Sequence, residues 1–264
     1  MSVGCRMAQI DVVVQDVLKT LILPVIFSLL MHIIWSQYGE QITAACQAFW
    51  SSSMFDYDTA LKDLKKDHFF SMSHHRSHDP VLRSRGQVRV LEIGCGSADV
   101  NFEFFPSNYQ MSVVERNAFF EPLFYKTKDK FPGVKMEKFV IGTVENMEGV
   151  KDKYIDVVIA TLVLCTAKNV DKALEEILRV LAPGGKFYYC EHVRDRPGTW
   201  LHVVQTVLAK IWLLLFDYHS NRDVDVIIEA HHGFSVVRQK RFDIPCQQGV
   251  FKLIKVHVMG VATK

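Results

Sequence analysis

From Val88 onward, short apolar runs rich in Val, Ile, Phe and Tyr alternate with stretches whose apolar positions recur at helical spacing. The short runs predict strands over 88–94, 110–115, 134–141, 154–162, 184–193, 234–242 and 250–263. The helically spaced stretches predict helices over about 99–105, 118–131, 170–181, 199–215 and 222–232. Strands separated by helical crossovers make an α/β fold, a doubly wound and mostly parallel seven-stranded sheet with right-handed connections. The two closing strands, joined by a short loop, add an antiparallel edge.

Before Val88 the pattern changes. Leu21 to Trp35, LILPVIFSLLMHIIW, carries no Lys, Arg, Asp or Glu, and the apolar bias starts at Val12, interrupted by Asp16 and Lys19. A spanning helix wants about 20 apolar residues, so this run is short for a full span and also suits an interfacial helix. A cleaved signal peptide is disfavoured by Asp11 and Asp16 and by the lack of a small-residue cleavage site after the apolar core. The competing reading is a buried helix of a soluble fold, but a leading segment this apolar has little to pack against. Residues 12–35 are therefore expected to hold the chain to a membrane. Arg6 and Lys19 are offset by Asp11 and Asp16, whereas Lys62, Lys65, Lys66, Arg76, Arg83 and Arg85 follow the segment, which places the folded domain on the cytosolic side. The organisation read from these shifts is an anchor over 1–50, a connector over 51–87 and a folded domain over 88–264. In the connector, Tyr57, Ala60, Leu61, Leu64, Phe69 and Phe70 fit an amphipathic helix, and His74, His75 and His78 fit a solvated loop better than a metal site.

At 264 residues the chain holds one core plus an appendage. A net charge of +2 without a basic block argues against a nucleic-acid partner. Cys5, Cys46, Cys95, Cys165, Cys190 and Cys246 form no C-x-x-C pair, so neither a metal nor a disulfide framework is expected.

The candidate chemistry gathers at Val88 to Asp99, VRVLEIGCGSAD, a strand running into a glycine turn and then a helix start. Gly94 and Gly96 remove Cβ where a ligand must approach backbone, and helix-start N–H groups donate to polar ligands. A Gly-x-Gly alone is weak. The surroundings strengthen it: Glu92 precedes the turn, and Glu115 ends the second strand about 20 residues on, where an acid binds ribose hydroxyls. Together with their neighbours Cys95 and Arg116, these residues predict a nucleotide-like ligand site. Asp156 opens the apolar fourth strand, whose end brings Thr161 and Leu162 beside the ligand.

Here the sequence resembles the Rossmann-type S-adenosylmethionine-dependent methyltransferases, whose E/D-x-G-x-G-x-G turn is matched by Glu92, Gly94 and Gly96 with Ala98 at the third glycine. The L-x-P-G-G block at Leu181 to Gly185 fits the same group. A closer resemblance is to the methyltransferase-like 7 family of membrane-anchored thiol S-methyltransferases. It rests on LEIGCG, N-F-x-F-x-P at Asn101 to Pro106, D-V-V and T-L-V-L-C between Asp156 and Cys165, R-V-L-x-P-G-G, Glu191-His192-Val193, and H-x-x-G-x-A at His257 to Ala262. The resemblance implies S-adenosylmethionine as cofactor, with Gly94, Gly96 and Glu115 at methionine, turn and ribose, and Val144, Glu145 and Met147 beside the adenine. It also implies a small lipophilic acceptor, a thiol, and a location at the endoplasmic reticulum membrane or lipid droplets. The chain departs from the family at Glu115-Arg116 (usually Asp-Pro), at Ser97-Ala98-Asp99 (usually T-G-A), and at Tyr218-His219 (glycine and cysteine). The last departure lies in the acceptor half. It leaves open an oxygen or carbon methyltransferase acting on an isoprenoid or quinone-like lipid, or a surface protein that keeps the fold without turnover.

Methyl transfer from a sulfonium is an in-line displacement in which alignment contributes most, yet a thiol gains from a nearby base. His192, at the end of the fifth strand, is the candidate base, against the alternative of a histidine bonded within the sheet edge. Cys165 reads as a small buried side chain rather than a reactive thiol. The 199–216 segment, with Trp200, Val204, Val207, Leu208, Ile211, Trp212 and Leu215 on one face, reads either as a core helix or as an apolar roof that touches the bilayer.

Overall fold

The computed structural model describes residues 23–96, 101–105, 108–244 and 249–264. The chain divides into two units, Met1–Ser52 and Ser53–Lys264. Helix α1, Leu23–Phe70, begins in the first of them. There Val25, Ile26, Phe27, Leu29, Leu30, Met31, Ile33 and Ile34 are all exposed. Among the described residues no helix is long and apolar enough to cross a membrane. The expected anchor is thus described only from Leu23 on, and residues 12–22 lie outside the described residues.

The second unit is built on a seven-stranded sheet in the order β3-β2-β1-β4-β5-β7-β6. Its strands are β1 Val88–Ile93, β2 Tyr109–Glu115, β3 Lys135–Ile141, β4 Ile155–Thr161, β5 Leu181–His192, β6 Val236–Asp243 and β7 Val256–Thr263. The first five are mutually parallel, and β7 lies antiparallel to both β5 and β6, so the expected mixed edge is present. Helices α2 Pro80–Ser84, α3 Phe120–Lys128, α4 Val170–Val180, α5 Trp200–Phe216 and α6 Val224–Ala230 connect and cover the strands. Chain order reverses between β1 and β4, and the crevice of a doubly wound sheet opens at the carboxyl ends of such a pair.

Strand alternation divides the core. Leu91, Ile93, Val158 and Ala160 join Leu174, Ile177 and Val180 of α4 in the largest cluster. Val88, Val90, Val157, Ile159 and Tyr188 instead meet Phe69 at the end of α1 and Met72 just after it. The connector helix is amphipathic, but its buried stripe is Leu61, Lys65 and Phe69, continued by Met72 in the 3₁₀ turn Ser71–His74, whereas Leu64 and Phe70 are exposed. A lysine, outside the expected stripe, thus takes a buried position beside its apolar residues.

Three expected elements differ. The described part of the helix expected over 99–105 is a single 3₁₀ turn, Phe102–Phe104. Residues 250–254 also form a 3₁₀ turn, and β7 starts only at Val256, because β6 ends at Asp243, the partner of Val256. Pro183-Gly184-Gly185 does not separate helix from strand: β5 starts at Leu181, and the register with β4 jumps from Ile155↔Leu181 to Val157↔Lys186. Gly185 permits this bulge, since a Cβ there would lie 2.9 Å from the Ala182 carbonyl oxygen and 3.0 Å from that of Asp156.

Asp156 is buried at the amino end of β4. Its Oδ1 accepts the His78 N–H (2.8 Å) and its Oδ2 the Arg89 N–H (3.0 Å), tying the histidine-containing loop and the start of β1 to the sheet. Asp156→Ala strands both donors, so urea unfolding should report a loss of ~2–4 kcal/mol, and Asp156→Asn, which keeps one carbonyl acceptor, a smaller loss. Equal stability of wild type and Asp156→Ala would show that the two N–H groups find other partners.

Candidate active site

A cavity of about 520 Å³ opens where β1, β2 and β3 end and the chain leaves β4. That volume lies in the usual range for small-molecule sites. Its floor is the turn after β1. Gly94 and Gly96 both have positive φ, 67° and 51°. A Cβ on Gly94 would also fall 2.7 Å from Val163 Cγ2, whereas one on Gly96 would meet nothing within 4 Å. Gly94 is therefore needed for both conformation and packing, and Gly96 for conformation beside open space. Ser97, Ala98 and Asp99 lie outside the described residues.

Glu115 ends β2 at the cavity wall and is buried. Its Oε2 accepts the Gly96 N–H (3.1 Å) and its Oε1 the Asn117 N–H (2.9 Å). The Cys95 thiol also donates to Oε2 (3.9 Å), so the carboxylate is fixed while Oε1 keeps acceptor capacity for a ligand hydroxyl. Arg116 stands at the rim in an ion pair with Asp217 (2.8 Å), both about half exposed. Val144 and Glu145 line the cavity in the turn after β3. Burial pushes the Glu145 carboxyl up, but hydrogen bonds from its own backbone N–H, from the N–H groups of Lys168 and Asn169 and from Thr143 outweigh it and hold the group below its ordinary value. Leu162, at φ 57°, lines the cavity as the chain leaves β4.

Of the ten residues read as cofactor-binding, Gly94, Gly96, Glu115, Arg116, Val144, Glu145 and Leu162 meet at this cavity, and Glu92, Cys95 and Thr161 do not line it. The reason is alternation. Glu92 and Thr161 share the sheet face of Val88, Val90, Val157 and Ile159, which the end of α1 covers. There the Asn101 Nδ2 donates to Glu92 Oε1 (2.7 Å) and to Thr161 Oγ1 (3.3 Å). Burial pushes the Glu92 carboxyl up to about 7, against the Asn101 hydrogen bond and the Lys65 charge, with Glu115 adding to the rise. Burial, Glu92 and Glu115 together push the Cys95 thiol far up.

His192 is not brought to the cavity. It closes β5 opposite His257 of β7, is fully buried, and has the Gln205 Nε2 3.4 Å from its Nε2 and the Tyr218 ring beside it. Burial, with His257 nearby, drives its pKa well below the ordinary histidine value, so the ring is neutral. The expected proton transfer from an acceptor in the cavity has no geometric support at this residue. Cys165 is a buried thiol off the cavity lining, as read, and burial beside Glu191 raises its pKa strongly. Helix α5 buries Leu201, Gln205 and Trp212 and contributes nothing to the cavity lining, so it is no roof over that space.

One residue with a clear role was named in the sequence only as part of a motif and given no role there. Glu191 is fully buried in β5, and its carboxylate accepts the N–H groups of Val163 (2.9 Å), Leu164 (3.0 Å) and Cys165 (3.3 Å). It fixes the loop after β4, including the Val163 side chain that packs against Gly94. Burial raises its carboxyl to about 7 against those three bonds. The available signal was an acid inside the otherwise apolar run FYYCEHV.

Residues 91–189 match the family model described as a methyltransferase domain. The chain is 36% identical over 180 residues to the thiol S-methyltransferase TMT1A of Homo sapiens, covering 68% of this chain and 72% of that protein. It is 35% identical over 181 residues to the thiol S-methyltransferase TMT1B of Rattus norvegicus, covering 67% and 71%. Among solved structures it is similar in fold to the YcgJ protein of Bacillus subtilis, with a TM-score of 0.56 at 13% identity over 76% of this chain and 98% of that one. A SAM-dependent methyltransferase of Methanosarcina mazei gives a TM-score of 0.51 at 14% identity over 70% and 97%. The glycine turn, the carboxylate at the end of β2 and this similarity lead to one conclusion: the chain belongs to the family of the thiol S-methyltransferases TMT1A and TMT1B.

Proposed function

We propose that the protein transfers a methyl group from S-adenosylmethionine to small lipophilic thiols at a membrane surface. The observation that carries this reading is Glu115, a buried carboxylate held by the Gly96 N–H at the wall of a cavity whose floor is the glycine turn. In this reading Glu115 takes the ribose hydroxyls, the Gly94 to Gly96 turn meets the methionine part, and Val144 and Glu145 flank the base. The bound cofactor supplies an activated methyl on a sulfonium. The acceptor sulfur forms the new bond to that carbon as the old carbon–sulfur bond breaks, and the thiol proton passes to solvent. With His192 away from the cavity, the contribution of the chain in this reading is alignment of the acceptor sulfur with the methyl group.

Two surfaces support membrane association. The Leu23 to Ile34 stretch of α1 is apolar and exposed. In the second unit, α5 carries an exposed stripe of Trp200, Val203, Val207, Ile211 and Leu214 at helical spacing. The basic residues following the anchor put the domain on the cytosolic side, and the endoplasmic reticulum or lipid-droplet membrane is what the resemblance to the membrane-anchored family implies.

Glu115→Ala should weaken S-adenosylmethionine binding by ~1.5–3 kcal/mol in calorimetry, since a charged acceptor is lost. Unchanged affinity would remove Glu115 from the ribose. A panel of thiols, phenols and quinols should yield methylated thiols, and methylation confined to phenols or quinols would overturn the acceptor assignment. Removal of residues 1–50 should free the protein from membranes. A truncated protein that still pelleted after salt and alkaline washes would transfer the membrane contact to α5.

His192 gives a prediction for two measurements. Because its folded pKa lies below the 6.5 of the unfolded chain, its contribution to stability is present above pH 6.5 and is lost as pH falls from there toward the folded value. His192→Gln should therefore flatten the acid limb of stability by up to ~1.4 kcal/mol per pH unit below that point. Across thiols of graded pKa, the same variant should change methylation by a common factor. A loss confined to thiols of high pKa would restore His192 as the base.

A further inference from the structure

Lys65 sits in the middle of the buried stripe of α1, between Leu61 and Phe69, and is 1% exposed. An ammonium taken out of water costs several kcal/mol unless an opposite charge is near. The sheet face beneath it supplies one. Glu92 lies on the face that packs against this end of α1, is 4% exposed, and feels the Lys65 charge. Glu92 in turn holds the Asn101 amide, whose Nδ2 also reaches Thr161 Oγ1, so one polar bridge joins the ends of β1 and β4. The residues following those two ends, Gly94 with Gly96 and Leu162 with Val163, line the cavity.

We propose that Lys65 is a positioning residue for the cofactor turn: its charge compensates the Glu92 carboxylate, and the Glu92–Asn101–Thr161 bridge then fixes the two cavity-lining segments relative to each other. The helix leading out of the anchor thereby becomes part of the cofactor site without touching the cofactor. A neutral residue at 65 leaves Glu92 buried beside Glu115 with Asn101 as its remaining favourable contact, so the carboxyl takes up a proton at higher pH and the bridge loses its charge-assisted acceptor. The groups facing Glu92 are Lys65, Asn101, Glu115 and the Cys95 thiol.

The inference rests on the S-adenosylmethionine reading of the cavity, and the test separates the two. Full-length wild type, Lys65→Met, Lys65→Arg, Glu92→Gln and the Lys65→Met/Glu92→Gln double variant are compared by S-adenosylmethionine calorimetry between pH 6 and 9 and by urea unfolding. Lys65→Met should weaken binding roughly tenfold at pH 7.5 and move the midpoint of the pH profile to higher pH, with Lys65→Arg restoring both. In unfolding, the double variant should be more stable than the sum of the single losses allows, because it removes both charges of the pair. A Lys65→Met profile that drops equally at every pH, with additive unfolding losses, would overturn the positioning role. Wild type that fails to bind S-adenosylmethionine would overturn the cofactor reading, and the unfolding cycle would still decide whether Lys65 and Glu92 are coupled.

Discussion

Among the described residues, the loops around the cavity depend on carboxylates that accept backbone N–H groups from neighbouring segments. Glu115 holds Gly96, Glu191 holds Val163 to Cys165, Glu145 holds Lys168 and Asn169, and Glu176 of α4 holds Met147 (2.7 Å). Loops at strand ends carry N–H groups that the sheet does not satisfy, and leaving them buried and unpaired costs more than most contacts return. An ionised acceptor makes a stronger bond than a neutral one, and one carboxylate can serve several donors. The cavity walls are therefore set by long-range acid-to-backbone bonds, which lets the loops stay short and the glycine turn stay open above them.

The same device sets the electrostatics. Glu92 and Glu191 are pushed up to about 7 by burial, whereas the more exposed Glu145 and Glu176 are held below their ordinary values by their hydrogen bonds. For Glu176 the Arg179 side chain is the largest contribution, and Arg179 also bonds the carbonyl oxygens of Met147 (3.0 Å) and Val150 (2.9 Å). The loop after β3 is thus pinned through both its donors and its acceptors by one ion pair on α4.

Much of this was legible in the sequence where a local rule applies. Gly94 and Gly96 announce positive φ, the apolar run before them announces a buried strand, and the acid at the end of the next strand announces Glu115. Seven strands and the antiparallel edge follow from apolar rhythm and loop length. What stayed hidden is nonlocal. Whether Glu92 faces the cavity or α1 depends on which helix covers that face of the sheet. Lys65 interrupts an apolar stripe, and pattern reading discards such a residue as solvated. The bulge at Pro183 to Gly185 extends β5 backward because β4 offers Ile155 as a partner to Leu181, a pairing with no sequence signal. His192 shows the same limit: its place at a strand end was read correctly, but the antiparallel partner His257 and helix α5 bury it.

Helix α5 shows how apolar content and burial separate. It is apolar nearly all round, yet only Leu201, Gln205 and Trp212 are fully enclosed, and the stripe from Trp200 to Leu214 faces outward. The half-exposed Arg116–Asp217 pair at its carboxyl end adds ~0–1 kcal/mol, a small term for an exposed ion pair. Its seat on the domain therefore rests on Trp212, Leu201 and the Gln205 amide, which donates to the Leu253 carbonyl oxygen at 2.8 Å. That amide matters more than its single bond suggests, because Gln205 Oε1 also accepts the Asp195 N–H (2.9 Å) and so joins the loop after β5 to the turn before β7. A buried glutamine on an otherwise apolar face fixes the register of the helix, while the aliphatic face beside it fixes only that the helix is covered.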